Sequence, residues 1–183
     1  MATITPVTIR LTGGSDAIIR SYRPSDVDAA NLFARQIAAE STHTLKYEGM
    51  PEMPRDKLAA LWTDNLTHPV NLNIGVFRDG EILGNLRFFQ KNGAHPWVKH
   101  IAAFGMAVGR AYWGQGIGSK LLQIMLKHAQ ECGVRRIEAE VRTANERGIQ
   151  LYTKNGFKIE GRRESAALIE DTFVDEFYIA KLI

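Results

Sequence analysis

One cysteine, Cys132, stands in a chain of 183 residues, so no internal disulfide is possible and a thiolate metal site is not expected. Also missing is any run approaching the ~20 apolar residues of a membrane span. The opening MATITPVTIRLTGG has neither the basic head nor the apolar centre of a secretory signal. These absences lead to the expectation of a reducing cytoplasm, no membrane partner and no metal. Proline is sparse at six residues, and there is no repeat, low-complexity tract or Pro/Ser-rich linker at which to divide the chain. A single domain over residues 1–183 is therefore expected. Lys and Arg exceed Asp and Glu by 23 to 20, but the basic residues are scattered, with no polybasic block and no interleaved aromatics. That distribution argues against nucleic acid and suits a small polyanionic ligand.

Apolar residues at 45% and charged residues at 23% match a soluble globular protein. Residues 5–11 and 17–22 are predicted as short strands around Gly13-Gly14. A helix follows with Ser25 as N-cap and Val27, Leu32, Phe33 and Ile37 as its apolar stripe. Gly49, Pro51 and Pro54 mark a loop leading into a second helix over about 55–65. Strands at 71–77 and 82–89 flank Asp79-Gly80, a strong hairpin signal, and a third antiparallel strand is expected over about 98–108. Then the pattern becomes glycine loop, amphipathic helix, strand at 136–141, short helix from Asn145 and two closing strands. The fold class is α+β, a mixed and mostly antiparallel sheet of about seven strands flanked by about four helices.

The glycine loop is RAYWGQGIGSKLL, with Gly114, Gly116 and Gly118 ahead of a helix whose stripe is Ile117, Leu121, Leu122, Met125 and Ala129. A Walker A loop is excluded, because Gly109 and Gly114 are followed by Gln115-Gly116 and the phosphate-reaching lysine is missing. A dinucleotide fingerprint is excluded too, because the third glycine comes one residue early. Two readings remain: a cradle of backbone N–H groups for a diphosphate at a helix N-terminus, and a tight strand-to-helix turn that binds nothing.

The loop does not stand alone. WGQGIGSKLL, a strand, and then TANERGIQLYTKNGFKIEG resemble the GNAT superfamily of N-acetyltransferases, whose acetyl-coenzyme A loop reads R/Q-x-x-G-x-G/A and is followed by an Asn-started helix ending in Y-x-K-x-G-F. IIRSYRPSDVDAANLF resembles the family's opening strand and helix, so the similarity covers most of the chain from about Ala17. The resemblance implies an acetyl-coenzyme A co-substrate and assigns residues to it. Met106, Ala107 and Val108 would hydrogen-bond the pantetheine arm through their backbone. Gly114, Gln115, Gly116, Ile117, Gly118 and Ser119 would hold the pyrophosphate. Asn145 would lie near the thiol end, and Tyr152 beside the thioester sulfur. Each has a structural alternative: Met106 and Val108 as core, Asn145 as N-cap, Tyr152 as packing aromatic. Trp113 departs from the motif's Arg or Gln, with Arg110 or Lys120 as substitutes, and Gly148 stands where the family has alanine. The resemblance also carries homodimerisation as a possibility that no feature of this sequence establishes.

An amine nucleophile titrates near ~10.4 and must lose a proton before it attacks, while the leaving thiolate gains from a proton donor. Tyr152 suits the role of general acid. The base is less defined, since the strand before the loop carries Ala102 and Ala103 where family members place glutamate. Glu138 and Glu140, on one face of the next strand by alternation, and His100 are the base candidates. Glu40 and His43 are further possibilities. Substrate choice is assigned to segments 43–53, 90–97 and 171–173, with Glu40, His43, Tyr47 and Glu48 as acceptor contacts. The leading expectation is acetyl transfer to a primary amine of a small molecule such as an amino acid, polyamine or antibiotic. The alternatives are a protein N-terminal or lysine acetyltransferase and a non-catalytic acetyl-coenzyme A-binding regulatory module.

Overall fold

The computed structural model describes residues 3–93 and 95–183. Met1 and Ala2 of the opening segment, and Ala94 within segment 90–97, lie outside the described residues. Among the described residues, eight strands form one sheet in the order β1-β2-β3-β4-β5-β6-β8-β7. They are β1 (Val7–Arg10), β2 (Asp16–Ser21), β3 (Leu72–Arg78), β4 (Glu81–Gln90), β5 (Ile101–Val108), β6 (Arg136–Arg142), β7 (Lys158–Ile169) and β8 (Thr172–Leu182). Neighbours pair antiparallel everywhere except β5 with β6. That one parallel pair exists because the crossover between its strands is a helix rather than a turn.

Among the described residues, four α-helices cover the sheet: α1 (Val27–Glu40), α2 (Arg55–Thr67), α3 (Ile117–Glu131) and α4 (Glu146–Lys154). The α+β class and helix number are as the sequence indicates, with eight strands rather than about seven. The third antiparallel strand begins at Ile101, later than expected, because residues 95–100 make turns closed by Val98 N–H to His95 O and Ile101 N–H to Val98 O. Asp79 (φ 50°) and Gly80 (φ 83°) turn the β3–β4 hairpin with both φ values positive, the geometry that an Asp-Gly pair favours.

The two faces carry separate cores. On one, Ile117, Leu121, Leu122, Met125 and Ala129 of α3 are buried against Leu86, Phe88, Ile137 and Val141, as the stripe predicts. On the other, α1 and α2 bury Val27, Phe33, Ile37 and Trp62 against Tyr22, Phe77 and Ile82. This second cluster ends at β5, so among the described residues no helix core covers the same face of β6, β8 and β7. Two details of α1 differ from expectation. Leu32 is 58% exposed and does not belong to the stripe. Ser25 is not the N-cap, because Pro24 opens a 3-10 turn that delays the helix to Val27. Asp26 instead accepts from the Arg23 N–H at 2.8 Å and takes a two-pronged contact from Arg20.

Candidate active site

β5 and β6 pair at only three positions: Ile101 with Arg136, Ala102 with Ile137, and Ala103 with Glu138. β5 runs on to Val108, while β6 runs on to Arg142 paired with β8. The strands therefore part at Ala103 and Glu138 and leave a wedge-shaped gap. Strand alternation decides which backbone groups face it. Gly109 N–H donates to Leu83 O on the β4 side, whereas His100 O accepts from Arg136 N–H on the β6 side. The odd-numbered residues of β5 thus turn their backbone to β4. Phe104, Met106 and Val108 turn theirs into the gap. Ala107 belongs to the first set, and its N–H is taken by Asn85 Oδ1 at 3.2 Å.

The loop after β5 borders the same gap. Gly114 and Gly116 adopt φ values of 77° and 78°, a left-handed backbone that a side chain would strain. This bend starts α3 at Ile117, so the N–H groups of Ile117, Gly118 and Ser119 form its unpaired first turn, and Lys120 N–H is the first to bond back, to Gly116 O. The Gln115 side chain is tied away, accepting from Thr12 N–H and donating to Ala111 O. A Cβ on Gly118 would come within 2.8 Å of Leu151 Cδ2. That glycine lets the start of α3 close on Leu151 of α4 and on Met106 of β5. Trp113 also has a definite task. Its indole N–H donates to Val108 O at 2.7 Å, closing off the last carbonyl of the open edge, and the Arg147 guanidinium lies 4.7 Å from its ring centroid.

Asn145 Oδ1 accepts from Gly148 N–H at 2.9 Å and caps α4. The helix brings Tyr152 against Phe104, the first residue beyond the last β5–β6 pair, with ring centroids 5.5 Å apart. Burial alone pushes the Tyr152 phenol up to about 12. It stays protonated throughout the physiological range.

Across the sheet, on the face without a helix core, Glu138 and Glu140 share a charged cavity of about 320 Å³ with Lys91, Arg136, Glu160 and Tyr178. Lys91 Nζ stands 3.7 Å from Glu138 and 3.5 Å from Glu140, while Arg136 Nε donates to Glu138 at 2.6 Å. Gly105 opens onto this face as well, and a Cβ there would meet nothing within 4 Å. Above it, the chain leaving α1 is fastened to both arms of the wedge. Glu40 accepts from Arg110 N–H at 2.7 Å beyond the end of β5, and Thr42 O accepts from Arg142 Nε at 3.1 Å at the end of β6.

The structure thus gathers Met106, Val108, residues 114–119, Asn145 and Tyr152 around the gap, with Glu138 and Glu140 at its apex on the opposite face. Other candidates lie elsewhere. His100 is exposed at the closed end of β5, where its carbonyl accepts from Arg135 and Arg136 N–H. Glu40 is committed to Arg110 and Gln36. Tyr47 and Glu48 are exposed at a turn closed by Met50 N–H to Tyr47 O. Burial and the neighbouring Arg142 charge hold His43 below the usual histidine range. The Cys132 thiol is pushed up by burial at the far end of α3, which disfavours a nucleophilic thiolate. Arg142 is the residue that the motifs did not single out, although the alternation that paired Glu138 with Glu140 extends to it directly.

An open strand edge, a bed of helix-start N–H groups and a protonated phenol on one side, with carboxylates on the other, have the form that a group-transfer enzyme with an extended anionic donor requires. Comparison with known proteins makes this specific. The profile of the Acetyltransferase (GNAT) family matches residues 35–157, and the chain belongs to that family: it is an acetyl-coenzyme A-dependent acyltransferase. It is 29% identical to the L-amino acid N-acetyltransferase AaaT of Escherichia coli over 92% of this chain and 99% of that protein. It is also similar to the crystal structure of a GNAT-family acetyltransferase from Streptococcus pneumoniae, with TM-score 0.85, 28% identity, and coverage of 91% of this chain and 99% of the other. A phosphinothricin acetyltransferase from Sinorhizobium meliloti in complex with acetyl-coenzyme A shares the fold, with TM-score 0.77, 17% identity, and coverage of 91% and 88%.

Proposed function

We propose that this acetyltransferase acts on the primary amine of a small molecule by direct attack, with no acyl-enzyme intermediate. The observation that carries the reading is the placement of Tyr152 and the Glu138–Glu140 pair on opposite sides of the point where β5 and β6 part. Acetyl-coenzyme A, when bound, supplies an acetyl thioester. The open edge fits an extended pantetheine arm: Met106 and Val108 offer gap-facing N–H groups, and Met106 a carbonyl, while Ala107 N–H and Val108 O are already engaged. The N–H groups of the 114–119 loop suit a pyrophosphate, aided by the helix dipole. Asn145 serves α4 as its cap and faces the thiol end through the helix start it fixes.

Glu140 has the freer carboxylate, since Glu138 is held by both Arg136 and Lys91. It removes a proton from the ammonium of the acceptor, directly or through water. The amine nitrogen then bonds to the thioester carbonyl carbon as the C–S bond breaks, and its second surplus proton leaves to solvent water, from which the Tyr152 phenolate is later reprotonated. Tyr152 gives its proton to the departing sulfur. A gap-facing N–H of β5 stabilises the negative charge that develops on the carbonyl oxygen. The strap from Glu40 to Thr42, fastened on both sides of the wedge, narrows the acceptor entrance and supports a small molecule over a folded protein. The name of the Escherichia coli relative points the same way.

The test is an amine panel assayed for free thiol release from acetyl-coenzyme A. Release that depends on an added small amine is the expected result. A melting temperature raised by acetyl-coenzyme A, with no small amine supporting release, would overturn the small-molecule reading in favour of a protein amine as acceptor.

A further inference from the structure

The chain places an amine of its own in the cavity assigned to the acceptor. Lys91 leaves the turn after β4 at the closed end of the wedge, since Gln90 pairs with Ala102 and Ala102 with Ile137. From there its side chain reaches β6 across the end of the seam. The β5 residues on that face, Ala103 and Gly105, are small enough to leave the way open, and a Cβ at Gly105 would meet nothing within 4 Å. Nζ stands 3.7 Å from Glu138 Oε2 and 3.5 Å from Glu140 Oε1. Glu138 belongs to the last β5–β6 rung, and Glu140 to the stretch where the strands have parted. The amine thus lies over the point where the gap opens, inside the cavity of about 320 Å³.

This lysine is held more loosely than a structural ion pair requires. Its side chain is 44% exposed, and both carboxylate contacts are longer than the ~2.7–2.9 Å of a charge-assisted hydrogen bond. Arg136 shows the contrast, donating to Glu138 at 2.6 Å and to Glu160 at 3.0 Å. The arginine anchors Glu138, and Lys91, on its flexible stem, is the cation free to move within the cavity. We propose that Lys91 is a self-acetylation site, to which the enzyme transfers an acetyl group when no other acceptor fills the cavity. This rests on the amine-acetyltransferase reading and adds a second acceptor to the same site. The Lys91 ammonium gives one proton to Glu140. Its nitrogen bonds to the thioester carbonyl carbon, the C–S bond breaks, and the departing sulfur takes the Tyr152 proton. The second surplus proton on nitrogen leaves to water, from which the phenolate is reprotonated. The product is an amide, which does not pass the acetyl group on. It removes the positive charge beside Glu138 and Glu140 and leaves Glu140 to a cationic acceptor.

The experiment incubates the full chain with acetyl-coenzyme A and no added amine, and maps acetylated lysines by peptide mass spectrometry. Lys91 is expected to be modified about 100-fold faster than any other lysine, the scale of a positioned proton transfer. Its rate should saturate with acetyl-coenzyme A, and the rate per molecule should not depend on protein concentration, because the bound donor and the amine share one chain. A small amine that supports thiol release should protect Lys91, since both occupy one place. Lys91→Arg keeps a cation beside the carboxylates and should end thiol release in the absence of amine, while a melting temperature raised by acetyl-coenzyme A shows that the variant is folded. Lys91 left unmodified while an added amine is acetylated overturns the self-acetylation and leaves the amine reading standing. Labelling of Lys91 in simple proportion to acetyl-coenzyme A, at the rate of other lysines, marks an uncatalysed surface reaction and overturns it too. So does a rate per molecule that rises with protein concentration. If neither Lys91 nor any added amine is acetylated, the reading beneath it falls as well.

Discussion

Tyr152 illustrates how a side chain acquires a role from its surroundings. Packed against Phe104 and Phe157, it loses hydration that would favour the phenolate, and its pKa rises to about 12. Because the acid form is the useful one, the sign is favourable: Tyr152 remains a donor across neutral pH and contributes no alkaline fall in kcat below about pH 11. Tyr152→Phe keeps the ring packing and removes only the proton. Its kcat should drop about 100-fold or more, the usual scale for a positioned acid, with KM for acetyl-coenzyme A unchanged, as read from steady-state kinetics. An unchanged kcat would remove Tyr152 from the chemistry. Gly105 offers a complementary test on the acceptor side. Its backbone is unstrained and the space above it is open, so Gly105→Val is compatible with the strand and should leave unfolding within ~0.5 kcal/mol of wild type. The added methyls enter the acceptor space, and KM for the amine should rise about tenfold, an overpacking cost near ~1.4 kcal/mol. A larger effect on KM for acetyl-coenzyme A than for the amine would place that space on the donor side.

Helix α4 shows where propensity and tertiary geometry give opposite signs. In sequence, Gly148 looks like a fault in a short helix, and alanine should gain up to ~1 kcal/mol. In the fold, a Cβ at Gly148 would lie 2.6–3.0 Å from the side-chain amide of Asn145, the group that caps the helix by accepting from Gly148 N–H. The amide of a short side chain cannot move away without releasing the cap, which is worth about 1 kcal/mol. Gly148→Ala is therefore expected to destabilise the protein by about 1 kcal/mol, measured as a lower urea midpoint at unchanged m-value, and a raised midpoint would show that propensity wins. The same contrast explains what was legible beforehand. The α3 stripe and the Asp79-Gly80 turn were readable because each rests on local pattern and backbone chemistry. The start of α1 was not, because the Asp26 carboxylate is drawn to Arg20 and to Arg23 N–H, two contacts that no helical periodicity encodes.

The sheet is two units joined by a short seam: β1 to β5 on one side, β6 to β8 on the other, in contact through three paired positions before they part. The sequence reading found the bordering motifs but not the parting of the strands, since where a parallel pair ends depends on partners distant in the chain. Nor did it find Arg142, whose partners Thr42 and Glu176 come from two other segments. A molecule built this way should gain most from a ligand that fills the gap and bridges both arms. At a hundredfold excess over its Kd, acetyl-coenzyme A is expected to stabilise the fold by about 2.7 kcal/mol. For a chain of this size that corresponds to a rise in Tm of about 5–11 °C. The location of the effect is the sharper readout. Amide hydrogen exchange should slow at Met106 and Val108, whose N–H groups face the gap, and along the 114–119 loop. At Ala107, already bonded to Asn85, it should change only with global stability. Extra protection at Ala107 rather than at its two neighbours would reverse the alternation inferred for β5, and with it the set of backbone groups that hold the donor.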